Sequence, residues 1–167
     1  MALFGNSRDI AFMKNINREL LDDVVQQEID YYQLSIENTK TNMYGESPDG
    51  KVYFRPVRVT CLIERDDINA VSAENFGVDQ VQQVRFKFLK PKLRELSLVP
   101  EVGDIIENNG KYYEVDNVNE NQYVVGKDND YGKNVGSEFG ESWSLICETH
   151  YAKVSRLQIV KAIGNGR

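Results

Sequence analysis

Asp104-Ile-Ile-Glu-Asn-Asn-Gly-Lys-Tyr-Tyr-Glu-Val115 is the stretch that decides the fold class. An Asn-Gly pair between two apolar runs is a strong short-range hairpin signal. Both central positions of the tight turn need a left-handed backbone, which asparagine and glycine adopt at little cost. The reading is a strand from Asp104 to Glu107, a turn through Asn108-Asn109-Gly110, and a second strand from Lys111 to Val118. A chain that builds hairpins builds antiparallel sheet.

The flanking segments extend that sheet. Upstream, Val81 to Leu89 alternates, with Val84, Phe86 and Phe88 facing one way and Arg85 and Lys87 the other, the pattern of a half-buried strand. Pro91 ends it, and Leu93 to Leu98 reads as a short helix. Val57 to Arg65 reads as one more strand, with Val57, Val59 and Cys61 on a shared face, and Asp66 to Asp79 as an irregular excursion. Downstream, Trp143 to Val154 alternates through Trp143, Leu145, Cys147, Thr149 and Tyr151, and Leu157 to Ile159 prolongs it after a kink. Glu37 to Phe54 is polar, and Ser47-Pro48-Asp49-Gly50 fits a type I turn. Residues 126–142, punctuated by Gly126, Gly132, Gly136 and Gly140, read as a long mobile loop.

One helix is expected near the N-terminus. Ile16, Leu20, Leu21, Val24, Val25, Ile29 and Tyr32 recur at three- and four-residue steps, which predicts an amphipathic helix from Ile16 to Leu34, capped by Asn15 or Asn17. Asp9 to Met13 reads as an extra turn or an ordered arm, and residues 1–8 and 162–167 as flexible tails. The fold class is therefore α+β: mainly antiparallel β, as a small barrel or sandwich, with one N-terminal amphipathic helix and long loops in a single domain of residues 1–167.

Composition narrows the function classes. A chain of 167 residues that is 41% hydrophobic can bury one core without a disulfide or a structural metal. The formal net charge is −6 and Lys and Arg form no dense block, so tight binding of nucleic-acid phosphates is not expected. An acidic surface still suits a pore through which DNA slides without being held. Cys61 and Cys147 lie in apolar runs away from any second thiol or histidine at ligand spacing, the pattern of buried free thiols in a reducing cytoplasm. The N-terminal residues do not read as a signal peptide, and no apolar run approaches the roughly 20 residues that span a bilayer, so no membrane partner is expected.

A search for catalytic chemistry yields little. The single histidine, His150, sits in the last strand beside Thr149 and Tyr151, without a nucleophile motif to serve. Asp128-Asn-Asp130-Tyr-Gly132 resembles a calcium loop only superficially, since the glycine of the sixth position and the glutamate of the twelfth are missing; Glu138 and Glu141 follow it. The glycines there do not stand between a strand and a helix, as a phosphate cradle requires. Glu107, Glu114, Asp116 and Glu120 gather on the hairpin, where a glycosidase-type pair stays open beside the ordinary reading of a solvated face. No catalytic, metal-binding or cofactor-binding residue is assigned, and the chain reads as a non-enzyme without cofactors.

Two stretches carry a family resemblance. Asn17-Arg-Glu-Leu-Leu-Asp-Asp-Val-Val-Gln-Gln-Glu-Ile-Asp-Tyr-Tyr32, followed by Asn42-Met-Tyr-Gly-Glu46, resembles the early helix and the tyrosine and glycine-glutamate turn of the neck, or head-closure, proteins of contractile-tailed, T4-like bacteriophages. Pro100-Glu-Val-Gly-Asp-Ile-Ile106 with Lys111-Tyr-Tyr-Glu-Val115 resembles that family's glutamate-x-glycine-aspartate strand and its partner. The chain is shorter than the larger family members, and its residues 126–142 have no counterpart there.

The resemblance implies a structural virion protein assembled in the host cytoplasm. It would form a homo-oligomeric ring, hexameric by expectation, in the neck of the virion. Its neighbours would be the portal, an adaptor or another neck protein on the head side, and the tail terminator or tail tube on the other. Genomic DNA would pass through the lumen without specific binding. Leu20, Leu21, Val24, Val25 and Tyr32 would then form a packing or interface helix, and Asp128, Asp130, Glu138 and Glu141 an inter-subunit or lumen loop. A tail terminator, a baseplate subunit, or a small hydrolase or binding domain are the competing readings.

Overall fold

A computed structural model describes residues 7–40, 42–44, 47, 50–67, 69–73, 77–123 and 142–153. The chain opens with helix α1 (Ser7–Glu19), which continues as a π-helical segment (Leu20–Val25). Strands β1 (Glu28–Tyr32), β2 (Val57–Thr60), β3 (Leu62–Arg65), β4 (Asn69–Ala73), β5 (Gly77–Val81) and β6 (Gln83–Leu89) follow. Helix α2 (Lys90–Glu95) then leads to β7 (Ile105–Asn108), β8 (Lys111–Tyr123) and β9 (Ser142–Ala152).

Seven strands form one sheet in the order β2-β1-β7-β8-β9-β6-β3, and β4-β5 make a separate two-stranded hairpin. Every pairing is antiparallel. The architecture is thus α+β with a sandwich-like, mainly antiparallel sheet. No ladder closes it into a barrel, but its two edge strands are separated in the chain by Cys61 alone. Thr60 pairs with Glu28 on one side of that residue and Leu62 with Lys87 on the other. Two peptide steps reach at most about 7 Å, so the ends of the sheet are drawn together around one core.

That core is the alternation written in the strands. Val84, Phe86 and Phe88 of β6 meet Leu145 and Cys147 of β9, Tyr113 and Val115 of β8, Ile106 of β7, Ile29 and Tyr31 of β1, and Val59 of β2. Edge-on ring contacts join Phe86 to Tyr113 at 5.6 Å and Tyr31 to Phe88 at 6.1 Å between centroids. Leu93 of α2 and Leu98 complete the cluster. The Asn109-Gly110 turn is as read, with φ of 52° and 74°.

Four readings are corrected. The helix expected from Ile16 to Leu34 starts at Ser7 and ends at Val25, so Asn15 and Asn17 lie inside it rather than capping it. Gln26 takes a left-handed conformation, φ 48°, and its N–H donates to the Leu21 carbonyl at 3.0 Å, which terminates the helical turn. Residues Glu28–Tyr32 then pair with β2 on one side and β7 on the other. Ile29 and Tyr31 are buried at a spacing of two, and this packing outweighs the helical periodicity. Within residues 1–8, Ser7 and Arg8 belong to α1 instead of a tail. The single strand expected from Val57 to Arg65 breaks at Cys61, and in place of the irregular excursion from Asp66 to Asp79 the chain forms the paired strands β4 and β5, the second of which runs on to Val81. Residues 1–6, 126–141 and 162–167 lie outside the described residues, and Ser142 opens β9.

Asp104 locks the start of β7. Its carboxylate is fully buried and accepts the Leu34 N–H at 2.7 Å on one oxygen, and the Tyr31 hydroxyl and Glu101 N–H, both at 2.9 Å, on the other. Burial and this carboxylate push the Tyr31 phenol far above its ordinary range.

Candidate interaction surface

The N-terminal helix is tied to the rest of the fold through its last turns. Asp22 is the anchor: it accepts the Thr60 hydroxyl at 2.6 Å and meets the Lys92 ammonium at 3.2 Å, linking the π segment to β2 and α2. Arg18 adds an ion pair to Glu95 at 3.0 Å. Partial burial works to raise the Asp22 pKa, but the Thr60 and Lys92 hydrogen bonds, with the charges of Lys92 and Arg18, outweigh it and hold the carboxyl below its ordinary value.

Beneath the helix run two shallow grooves. One, of about 150 Å³, is lined by Leu21, Leu89, Pro91 and Trp143; the other, of about 230 Å³, by Leu20, Val25, Leu62, Phe88 and Trp143. The Trp143 indole N–H is buried between these walls without an acceptor. Leu21 and Val25 turn toward the grooves and are half-buried.

The outer face is apolar and uncovered. Phe12 is 62% exposed and Val24 72%, and Met13 and Ile16 are exposed with them, while Leu20 stands at the rim between this face and the second groove. Phe12, Ile16, Leu20 and Val24 recur at steps of four. In an α-helix each such step drifts about 40° around the axis, and the wider turn of the π segment works against that drift between Leu20 and Val24. Ile36, Met43, Tyr44, Val99 and Val102 are exposed as well. The Gln33 amide donates to the Val99 carbonyl at 3.2 Å, fastening the turn that precedes β7 to the segment that follows β1.

Of the five interface residues expected from the sequence, Leu20, Leu21, Val24 and Val25 share the π segment, whereas Tyr32 stands in β1. There its hydroxyl donates to Glu107 at 2.9 Å. Asp128, Asp130, Glu138 and Glu141 fall outside the described residues. Phe12 and Met13 were within reach of sequence reasoning, since Phe12 continues the four-residue spacing to Ile16. The exposed Ile36, Met43, Tyr44, Val99 and Val102 carry no periodic signal.

The hairpin carboxylates do not converge. Glu107 takes the Tyr32 hydroxyl, Glu114 pairs with Lys51 at 2.8 Å, and Glu120 pairs with Lys90. Asp116 pairs with His150 Nδ1 at 2.8 Å. Each acid therefore has a partner of its own rather than facing another across a cleft. Cys61 and Cys147 are free and buried, and burial pushes the Cys61 thiol up to about 12. Among the described residues no cluster of His, Cys, Asp and Glu is arranged to hold a metal, and no helix is long and apolar enough to cross a membrane. No protein-family model matches the chain, and no curated protein matches it either.

Proposed function

We propose that this chain is a structural subunit of the neck of a contractile-tailed phage, assembling in the host cytoplasm into a homo-oligomeric ring between the portal side of the head and the tail. The ring closes the DNA-filled head and offers the tail a docking surface, and DNA passes through its lumen without specific binding. The observation that carries this reading is how the two resembling stretches meet. Tyr31 of the first donates to Asp104 of the second at 2.9 Å, and neighbouring Tyr32 donates to Glu107 at 2.9 Å. The strands that carry part of each quoted stretch are thus neighbours in one sheet, as parts of a single connector subunit would be. The uncovered apolar face of α1 suits a protein that works by docking.

Omitting this chain during infection by a virus that encodes it tests the proposal. Filled heads and finished tails should accumulate separately. A normal yield of joined, infectious particles overturns the reading.

A further inference from the structure

We infer that the apolar face of α1 and its π-helical continuation packs against the same face of a second copy, the two helices running antiparallel about a two-fold axis. The face is one strip of a single helix: Phe12, Met13, Ile16 and Val24 are exposed along it, with Leu20 at its rim. The rest of the fold meets the helix through other residues, Asp22 on Thr60 and Lys92, and Leu21 and Val25 toward the grooves. In the antiparallel pair Phe12 of each copy falls opposite Val24 of the other, and Ile16 opposite Leu20, because both pairs are centred on the same point of the strip. Such an isologous contact closes on itself, so it makes a dimer of the free chain and not the ring proposed above.

The charges of the helix select this occupant and its direction. Between Ser7 and Val25 lie Arg8, Asp9, Lys14, Arg18, Glu19, Asp22 and Asp23. Arg18 and Asp22 are taken up by Glu95, Thr60 and Lys92, and Lys14 lines the groove beneath the helix. The exposed charges that remain are Arg8 and Asp9, which offset each other, at the N-terminal end, and Glu19 and Asp23 toward the C-terminal end. A parallel pair would set the two acidic ends side by side. The antiparallel pair sets each acidic end against the other copy's N-terminal end, where Arg8 and the positive end of the helix dipole lie. The strip is thus its own complement when it runs backwards. With roughly 100 Å² of apolar surface on each of the five side chains, two copies bury on the order of 1,000 Å², the lower bound for a specific interface and the size of a weak, reversible dimer.

Sedimentation velocity of the purified full chain across the micromolar range, with Phe12→Asp and Val24→Lys variants, tests the inference. Both positions are more than half exposed, so far-ultraviolet circular dichroism and the urea midpoint should match the wild type. The wild type should pass from monomer to dimer as its concentration rises, and each variant should sediment as a monomer at every concentration. A wild type that stays monomeric overturns the inference, as does self-association that survives either substitution. Direction is read by oxidative cross-linking with copper phenanthroline, to which the buried Cys61 and Cys147 do not contribute. Phe12→Cys and Val24→Cys chains should form a disulfide-linked pair when mixed and none when oxidised separately. Linkage within either variant alone, or none in the mixture, overturns the antiparallel contact. The outcome is independent of the neck reading: a chain that dimerises in this way but is absent from virions would sink that reading and leave the contact standing.

Discussion

Replacing Asp104 with asparagine tests the central fastening of the fold. The substitution keeps the shape of the side chain and exchanges one acceptor oxygen for an NH2 group. One carboxylate oxygen serves the Leu34 N–H and the other serves both the Glu101 N–H and the Tyr31 hydroxyl. Whichever position the new NH2 takes, it faces a backbone N–H that has lost its acceptor in a fully buried site. Hydrogen bonds to a charged group contribute about 1.5–3 kcal/mol and an orphaned buried donor costs about 1–3 kcal/mol, so Asp104→Asn should cost about 3 kcal/mol or somewhat more. A chain of this size loses about 2–4 °C of Tm per kcal/mol, which sets the expected drop at about 6–12 °C. Tyr31→Phe removes the hydroxyl donor and leaves the Leu34 and Glu101 backbone bonds in place, so about 1 kcal/mol is expected. Urea titration at neutral pH, followed by circular dichroism and by the fluorescence of Trp143, the only tryptophan, measures both. A loss under about 0.5 kcal/mol for Asp104→Asn, within the range of ordinary surface changes, refutes the fastening role, as does a larger loss for Tyr31→Phe.

Three further outcomes follow from the same contacts. The Asp22 carboxyl is held below its ordinary value in the folded chain, so its contribution is present above the unfolded pKa near 4 and disappears as pH falls through the folded value. Asp22→Asn should therefore lower the urea midpoint at neutral pH and converge with the wild type in acid; a constant gap would show that the charge does not matter. Burial raises both thiols, Cys61 to about 12 and Cys147 further, so Ellman's reagent should modify them only after unfolding in guanidinium chloride, and rapid labelling of the native chain would contradict their burial. Gly110 has φ of 74° with open space where a Cβ would stand, so Gly110→Ala should cost about 1 kcal/mol through backbone strain alone, and a stabilising effect in the same titration would contradict the turn geometry.

The sheet was legible wherever side chains obey a single period. Val84, Phe86 and Phe88 announce their strand, and Asn109-Gly110 announces its turn, because both signals are local. The end of the helix was not legible. Ile29 and Tyr32 fit helical spacing as readily as Ile29 and Tyr31 fit a strand, and Gln26 turns left-handed without the glycine that usually marks such a stop. What separates the two readings is pairing with Val59 and Ile106, residues 30 and more positions away in the chain. The break at Cys61 is equally non-local, since it depends on β1 claiming one half of the run and β6 the other. For the interaction surface, the apolar face of α1 was partly visible as a stripe, whereas the exposed Ile36, Met43, Tyr44, Val99 and Val102 follow no period.

Cryo-electron microscopy of a virion whose genome encodes this chain is the most direct test of the connector reading. The account predicts a ring of this subunit between portal and tail, with the β7-β8 hairpin and the N-terminal helix recognisable in each copy. Density for that junction built wholly from other chains, with this one absent from the particle, contradicts it.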